Sequence, residues 1–145
     1  MTEKRQRKRT LARELALQLL YIADANGSLS DDEMEHHFRS TETQPDVAEF
    51  AAKLVRGALD ARTSLDEIIA QTAVNWKLSR MSVVDRNILR MAAYEIIHLA
   101  DIPPKVSINE AVDLAKKYST ADSGAFVNGI LDKILTGHGA EKAKK

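Results

Sequence analysis

Residues 82–99, SVVDRNILRMAAYEIIHL, carry the clearest fold signal in this chain of 145 residues. Ser82 precedes Asp85 by three residues, a spacing typical of the cap at the start of a helix. Apolar residues then recur every three or four positions, which places them on one side of a helix. They are Val84, Ile88, Leu89, Ala92, Ile96 and Leu99. This apolar surface is broad enough for a helix at the centre of a bundle.

The region before this segment has the same helical spacing and no alternation typical of strands. In the first helix, Leu11, Leu15, Leu19 and Ile22 are expected to form a buried stripe. The predicted elements are a helix from near Leu11 to Asn26-Gly27, a short helix opened by a Ser30 and Glu33 capping box, a loop over residues 40–45, and either one long helix or two nearly collinear ones over residues 47–72.

The region after the central helix contains two further predicted helices. Pro103-Pro104 favours extended backbone. Ser107 and Glu110 have the spacing of another capping box, and Asp122 or Ser123 is expected to cap the last helix. The prediction is therefore an all-α fold, a compact bundle of about seven helices.

Six of the first thirteen residues are basic, in a chain whose formal net charge is zero. They are Lys4, Arg5, Arg7, Lys8, Arg9 and Arg13. Such a cationic arm can bind phosphate backbones electrostatically, but terminal charge runs are also often solvated and disordered. Both alternatives remain open at this point. The predicted organisation is an arm over residues 1–10, a single helical domain over residues 11–136 and a disordered basic tail over residues 137–145.

The chain contains no cysteine, which excludes disulfides, thiol chemistry and cysteine-ligated metal sites. No apolar run is long enough to span a membrane and no signal peptide follows the arm, so a cytoplasmic protein is expected. There is no phosphate-binding glycine loop and no nucleophile motif. Glu95 is interpreted as an internal hydrogen-bond acceptor. We therefore expect no enzyme activity, no cofactor and no metal.

Aromatic residues give a weaker signal. Phe126 lies at the edge of the apolar arc of the last helix, beside Gly129 and Lys133, and could stack on an unpaired base. The alternative is a phenylalanine at the periphery of the core. Tyr21 lies off the leucine stripe of the first helix. Trp76, between two helices, is interpreted as a packing anchor.

Several motifs in order resemble the NusB family of bacterial transcription antitermination factors. The resemblance covers nearly the whole chain, from about residue 5 to about residue 135. The motifs are RELALQLLY at residues 13–21, DRNILR at 85–90 with Tyr94-Glu95, Ile102-Pro103, VSINEAV at 106–112 with LAK at 114–116, and Asp122-Ser123 followed by FVNGILD at 126–132.

The resemblance implies two packed helical subdomains and a non-enzymatic role in binding boxA RNA with the ribosomal protein NusE. It also implies a place in the RNA polymerase antitermination complex. Carried over by position, the RNA-binding residues are Arg5, Arg7, Lys8, Arg9, Arg13, Tyr118, Asp122 and Phe126. The protein-partner residues are Tyr21 and Asp85, which are expected on a surface separate from the RNA side.

Two alternatives belong to other functional classes. One is an RNA-binding module related to the N-terminal domain of ribosomal RNA cytosine methyltransferases. The other is a protein-binding scaffold in which the basic arm serves solubility.

Overall fold

The computed structural model describes residues 2–139 and contains only helices and connecting turns in that range, which confirms the all-α prediction. It divides into two compact units between Leu59 and Asp60. The helices are α1 (Glu3–Asn26), α2 (Asp31–Ser40), α3 (Pro45–Asp60), α4 (Arg62–Thr72), α5 (Val83–His98), α6 (Pro104–Tyr118) and α7 (Ala121–Ile134).

Helix α1 begins at Glu3, so the predicted start near Leu11 is wrong. The Thr2 hydroxyl accepts a hydrogen bond from the Arg5 backbone N–H at 3.2 Å, and Glu3 lies in the first turn, where its charge is favourable for the helix dipole. No glycine or proline interrupts the basic run. The cationic residues therefore occupy the first turns of a helix.

The buried side of α1 differs from the predicted stripe at its start. Leu15 and Leu19 are buried as expected, whereas Leu11 is exposed. Ala12, Leu17 and Leu20 are buried as well. The buried surface is thus wider and rotated relative to the leucine spacing. Gly27 ends the helix with a positive φ of 80°, a conformation that favours glycine.

The other predicted helix boundaries over residues 27–72 are largely confirmed. Ser30 and Glu33 form both hydrogen bonds of a capping box at the start of α2. Residues 47–72, for which one or two helices were expected, contain the separate helices α3 and α4, which are divided at Ala61.

Helix α5 begins as predicted, since the Ser82 hydroxyl accepts a hydrogen bond from the Asp85 N–H at 3.0 Å. Helix α6 begins at Pro104, so the predicted Ser107 and Glu110 capping box is wrong. Proline suits the first helical position because its fixed φ matches the helix and its missing N–H is not needed there. The buried Ser107 hydroxyl instead donates to Glu95 Oε1 at 2.9 Å, which confirms Glu95 as an internal acceptor.

The cap of α7 also differs from the prediction. Thr120, rather than Asp122 or Ser123, is the capping residue, and its hydroxyl accepts from the Ser123 N–H at 3.0 Å. Asp122 lies in the first turn, where it is exposed and interacts favourably with the helix dipole.

A buried ionic cluster lies between α4 and α5 in the second unit. The Arg90 guanidinium donates from Nε to Asp66 Oδ1 at 2.7 Å and from Nη2 to Asp66 Oδ2 at 3.1 Å. Its Nη1 donates to Asn87 Oδ1 at 3.1 Å. A two-point contact of this kind fixes the orientation of both side chains.

The predicted tail over residues 137–145 is described only in part. Leu135–Gly139 forms a short π-helical turn after α7, and residues 140–145 lie outside the described range. None of the helices between residues 2 and 139 is both long and apolar enough to cross a membrane.

Candidate nucleic-acid interface

A basic cleft of about 290 Å³ lies between α1 and α3 in the first unit. Three of the predicted RNA-binding residues, Arg5, Lys8 and Arg9, line it from α1. The same cleft contains Lys53 of α3, which was not predicted as a binding residue. The remaining lining residues are Asp46, Val47, Glu49 and Phe50. Four cations against two carboxylates make the cleft suitable for an anion such as a phosphate group.

Lys8 is not free in this cleft. Its ammonium group donates a hydrogen bond to Asp46 Oδ2 at 2.7 Å. This hydrogen bond holds the pKa of the Asp46 carboxyl below its ordinary value. A phosphate that binds Lys8 must therefore compete with a carboxylate that is already in place.

Arg9 and Arg13 both lie over the ring of Phe50, with guanidinium carbons 4.5 Å and 5.6 Å from the ring centroid. Arg13 is only 2% exposed, so the expectation that it directly contacts RNA is not supported by its position. The reason is that helix α1 turns this residue into the buried side. Arg7 is exposed and lies outside the residues that line the cleft.

The second unit contains an aromatic pair at the predicted stacking residue. The rings of Phe126 and Trp76 have centroids 5.7 Å apart and planes inclined by 74°. Phe126 is half-buried, as a position at the edge of the apolar arc requires. Trp76 is 57% exposed, so its interpretation as a packing anchor is wrong. Its segment after α4 leaves the ring at the surface.

Asp85 and Asp122 line one cleft together with Phe126 and Trp76. The Ser123 hydroxyl donates to Asp85 Oδ2 at 2.9 Å, while Asp85 Oδ1 is buried with no hydrogen-bond partner among the described residues. The expected separation of Asp85 from the predicted RNA-binding residues Asp122 and Phe126 is therefore wrong. Helix α7 brings Ser123 against Asp85, thirty-eight residues away in sequence.

The two predicted tyrosines lie elsewhere. Tyr21 is 48% exposed on α1 in the first unit. Tyr118, at the end of α6, is also exposed and has the Lys117 ammonium 5.2 Å from its ring centroid. Neither residue lines the clefts described above. Across residues 2–139, no three His, Asp or Glu side chains are grouped as metal ligands.

The sequence model described as the NusB family matches residues 10–136, which includes most of α1 and all later helices. The chain belongs to the NusB family. This membership confirms the resemblance found in the sequence. It also confirms that the chain is not an enzyme, because its relatives are antitermination proteins.

Curated relatives of the chain are named NusB. The sequence match covers most of the length of each of these proteins. The transcription antitermination protein NusB of Anaeromyxobacter sp. (strain Fw109-5) is 46% identical, over 94% of this chain and 96% of that protein. The NusB protein of Trichlorobacter lovleyi is 52% identical, over 85% of this chain and 87% of that protein.

Solved NusB structures share the fold. NusB of T. maritima has a TM-score of 0.84 at 35% identity, covering 94% of this chain and 97% of that one. A crystal structure of the antitermination factors NusB and NusE in complex with double-stranded RNA contains a chain with a TM-score of 0.83 at 32% identity. The match covers 91% of this chain and 98% of that one.

Three residues at these sites were not predicted from the NusB motifs or from composition. Lys53 and Phe50 join the basic cleft, and Trp76 joins Phe126. Their sequence signal is weak, since each is a single residue at an ordinary helical or loop position. An isolated tryptophan beside a polar segment was the one available hint.

Proposed function

We propose that this chain is a transcription antitermination factor that binds boxA RNA of nascent ribosomal RNA transcripts together with the ribosomal protein NusE. It would act in the cytoplasm within the RNA polymerase antitermination complex. The observation that carries the proposal is the similarity, over nine-tenths of the chain, to a NusB seen with NusE and RNA. The basic cleft supports it independently.

In this proposal the α1 cations contact the phosphate backbone of a single-stranded RNA. Arg5, Lys8 and Arg9 surround one cleft, so they can contact neighbouring phosphates, and Arg7 adds charge from another side of α1. Arg13 acts indirectly, since its buried guanidinium supports Phe50 beneath Arg9. Phosphate contacts of this type position a strand without reading its bases.

Base contacts are assigned to the second unit. The partly exposed ring of Phe126 provides a surface for base stacking. Asp122, at the start of α7, lies beside it and weakens the approach of phosphates through charge repulsion. Tyr118 is assigned as a second, exposed aromatic contact.

The protein partner is assigned to Tyr21 and Asp85. Tyr21 offers an exposed aromatic ring, which is a common anchor of protein interfaces. One oxygen of Asp85 is buried with no hydrogen-bond partner among residues 2–139, and such an acceptor costs free energy until a donor reaches it. Because Asp85 shares its cleft with Phe126, NusE and RNA would meet close together there.

The proposal is tested by titrating the protein with a labelled boxA-type RNA, with and without purified NusE, across a series of salt concentrations. Each phosphate neutralised on a single strand contributes roughly −0.7 to the slope of log affinity against log salt. With about three to five cations engaged, we expect a slope of about −2 to −3.5. An affinity that does not change with salt would contradict phosphate binding. A protein that binds NusE but not RNA would favour the scaffold alternative.

Arg5→Gln and Arg7→Gln form a matched pair within this experiment, because both remove one exposed charge from the same helix. Only Arg5 lines the basic cleft. We expect Arg5→Gln to lower the affinity and the salt slope more than Arg7→Gln does. Equal effects would mean that the net charge of α1 matters and the cleft does not.

Asp122→Asn is expected to bind RNA more tightly, because it removes a negative charge from the cleft beside Phe126. The favourable interaction with the dipole of α7 is lost, so the free energy of unfolding should fall by about 0.3–1 kcal/mol. Thr120 still caps the helix. Affinity is measured by RNA titration, with Asp132→Asn on the same helix as the control. Equal tightening by both variants would show a general charge effect.

A further inference from the structure

Trp76 is the only tryptophan of the chain, and it is unusually exposed for so large an apolar side chain. It follows α4 in a short segment that also exposes Val74. The indole ring meets the Phe126 ring edge to face, so each ring holds the other in place. The result is an aromatic surface of two packed rings, in which Trp76 is exposed and Phe126 is half-buried.

This pair stands between two clefts of the second unit. The first, of about 340 Å³, is lined by both rings together with Arg80, Asp85 and Asp122. The second, of about 260 Å³, is lined by both rings and contains Lys133. Each cleft therefore combines aromatic faces with one exposed cation. Proteins that bind single-stranded nucleic acid use this combination, with rings for the bases and cations for the backbone.

Gly129 on α7 lines the second cleft. A Cβ atom at this position would meet no neighbouring atom within 4 Å, so the absence of a side chain is not required by packing. Glycine inside a helix lowers stability by roughly 1 kcal/mol relative to alanine. The lining of the second cleft thus includes, beside Phe126, a helical position without a side chain.

We propose that Trp76 and Phe126 together form the base-binding surface for single-stranded RNA, with one base entering each cleft on either side of the pair. Arg80 and Lys133 then face the flanking phosphates. The inference rests on the proposed function, which places Phe126 but not Trp76 at the RNA. The carboxylates of the first cleft favour a base edge that presents hydrogen-bond donors.

The test uses the fluorescence of Trp76, the only indole that can report. Titration with boxA-type RNA is expected to quench its emission in parallel with the anisotropy change of the labelled RNA. Bound RNA should also protect Trp76 from acrylamide. Normal RNA binding with an unquenched and still accessible Trp76 overturns the inference. If the unmodified protein does not bind RNA at all, the proposed function is wrong, and this outcome is distinct from a failure of the Trp76 inference.

Substitutions give a second readout. Trp76→Ala is expected to weaken RNA binding about 5- to 150-fold, as for the loss of one stacked base, while Trp76→Phe retains most of the affinity. His98→Ala, which removes an exposed ring from α5 outside both clefts, serves as the control and should leave affinity for RNA unchanged. If Trp76→Ala weakens only NusE binding, the surface is a protein contact and the inference is wrong.

Gly129→Leu tests the second cleft without removing either ring. The added side chain should occupy the space beside Phe126 and weaken RNA binding at least fivefold, while the melting temperature stays the same or rises. Gly129→Ala, with a much smaller side chain, is the matched control and should lose little affinity. Unchanged affinity in a folded Gly129→Leu protein rules out a base in this cleft.

Discussion

Arg90→Ala is expected to lower the free energy of unfolding by about 3 kcal/mol, the lower end of the range for breaking a buried ion pair. Arg90 is buried and holds both oxygens of Asp66, at 2.7 Å and 3.1 Å. Its removal breaks both contacts with the Asp66 carboxylate and the hydrogen bond from Nη1 to Asn87 Oδ1. The loss stays at the low end because 29% of the Asp66 side chain is exposed and can be hydrated. Urea denaturation followed by circular dichroism measures the change.

Arg62→Ala provides the matched control on the same carboxylate. Arg62 lies one helical turn before Asp66, at 3.8 Å, and its side chain is 40% exposed. Exposed pairs of this type contribute about 0–1 kcal/mol, so this variant should remain close to the unmodified protein. Equal destabilisation by the two variants would show that burial of the Arg90 contact does not matter.

Phe126→Ala is expected to reduce RNA affinity by about 1–3 kcal/mol, the usual cost of losing one aromatic stacking surface. This loss of affinity includes any contribution from the Trp76 ring, because that ring loses the packing contact with Phe126. The fold should persist because Phe126 is only half-buried and the core of α7 is formed by Val127, Ile130, Leu131 and Ile134. Affinity is measured by RNA anisotropy, and folding by thermal denaturation.

Phe126→Leu separates stacking from packing, because leucine retains apolar volume but has no aromatic face. We expect Phe126→Leu to lose nearly as much RNA affinity as Phe126→Ala, but to unfold at a higher temperature than Phe126→Ala. If Phe126→Ala unfolds and its folded fraction binds RNA normally, Phe126 belongs to the core and the stacking proposal is wrong.

The helices and several of their ends were predictable from the sequence alone. Three local features were predicted correctly, because each depends on residues within one helical turn: the Ser30 and Glu33 box, the Ser82 cap and the end of α1 at Gly27. The Ser107 and Glu110 box has equivalent spacing and does not form a cap. The Ser107 hydroxyl instead donates a hydrogen bond to Glu95, twelve residues earlier on another helix. The spacing of residues within one helix cannot predict that contact.

The types and charges of the candidate site residues could be read from the sequence. Their burial and their neighbours in the fold could not. Composition indicated a cationic N-terminal arm, and helical spacing placed Phe126 at the edge of an apolar arc, because charge and residue type can be read directly from the chain. Burial of Arg13, exposure of Trp76 and the placement of Asp85 beside Asp122 were decided by the tertiary structure. Each of these three features depends on which distant segment of the chain packs against the residue. The sequence of a single helix does not specify that segment.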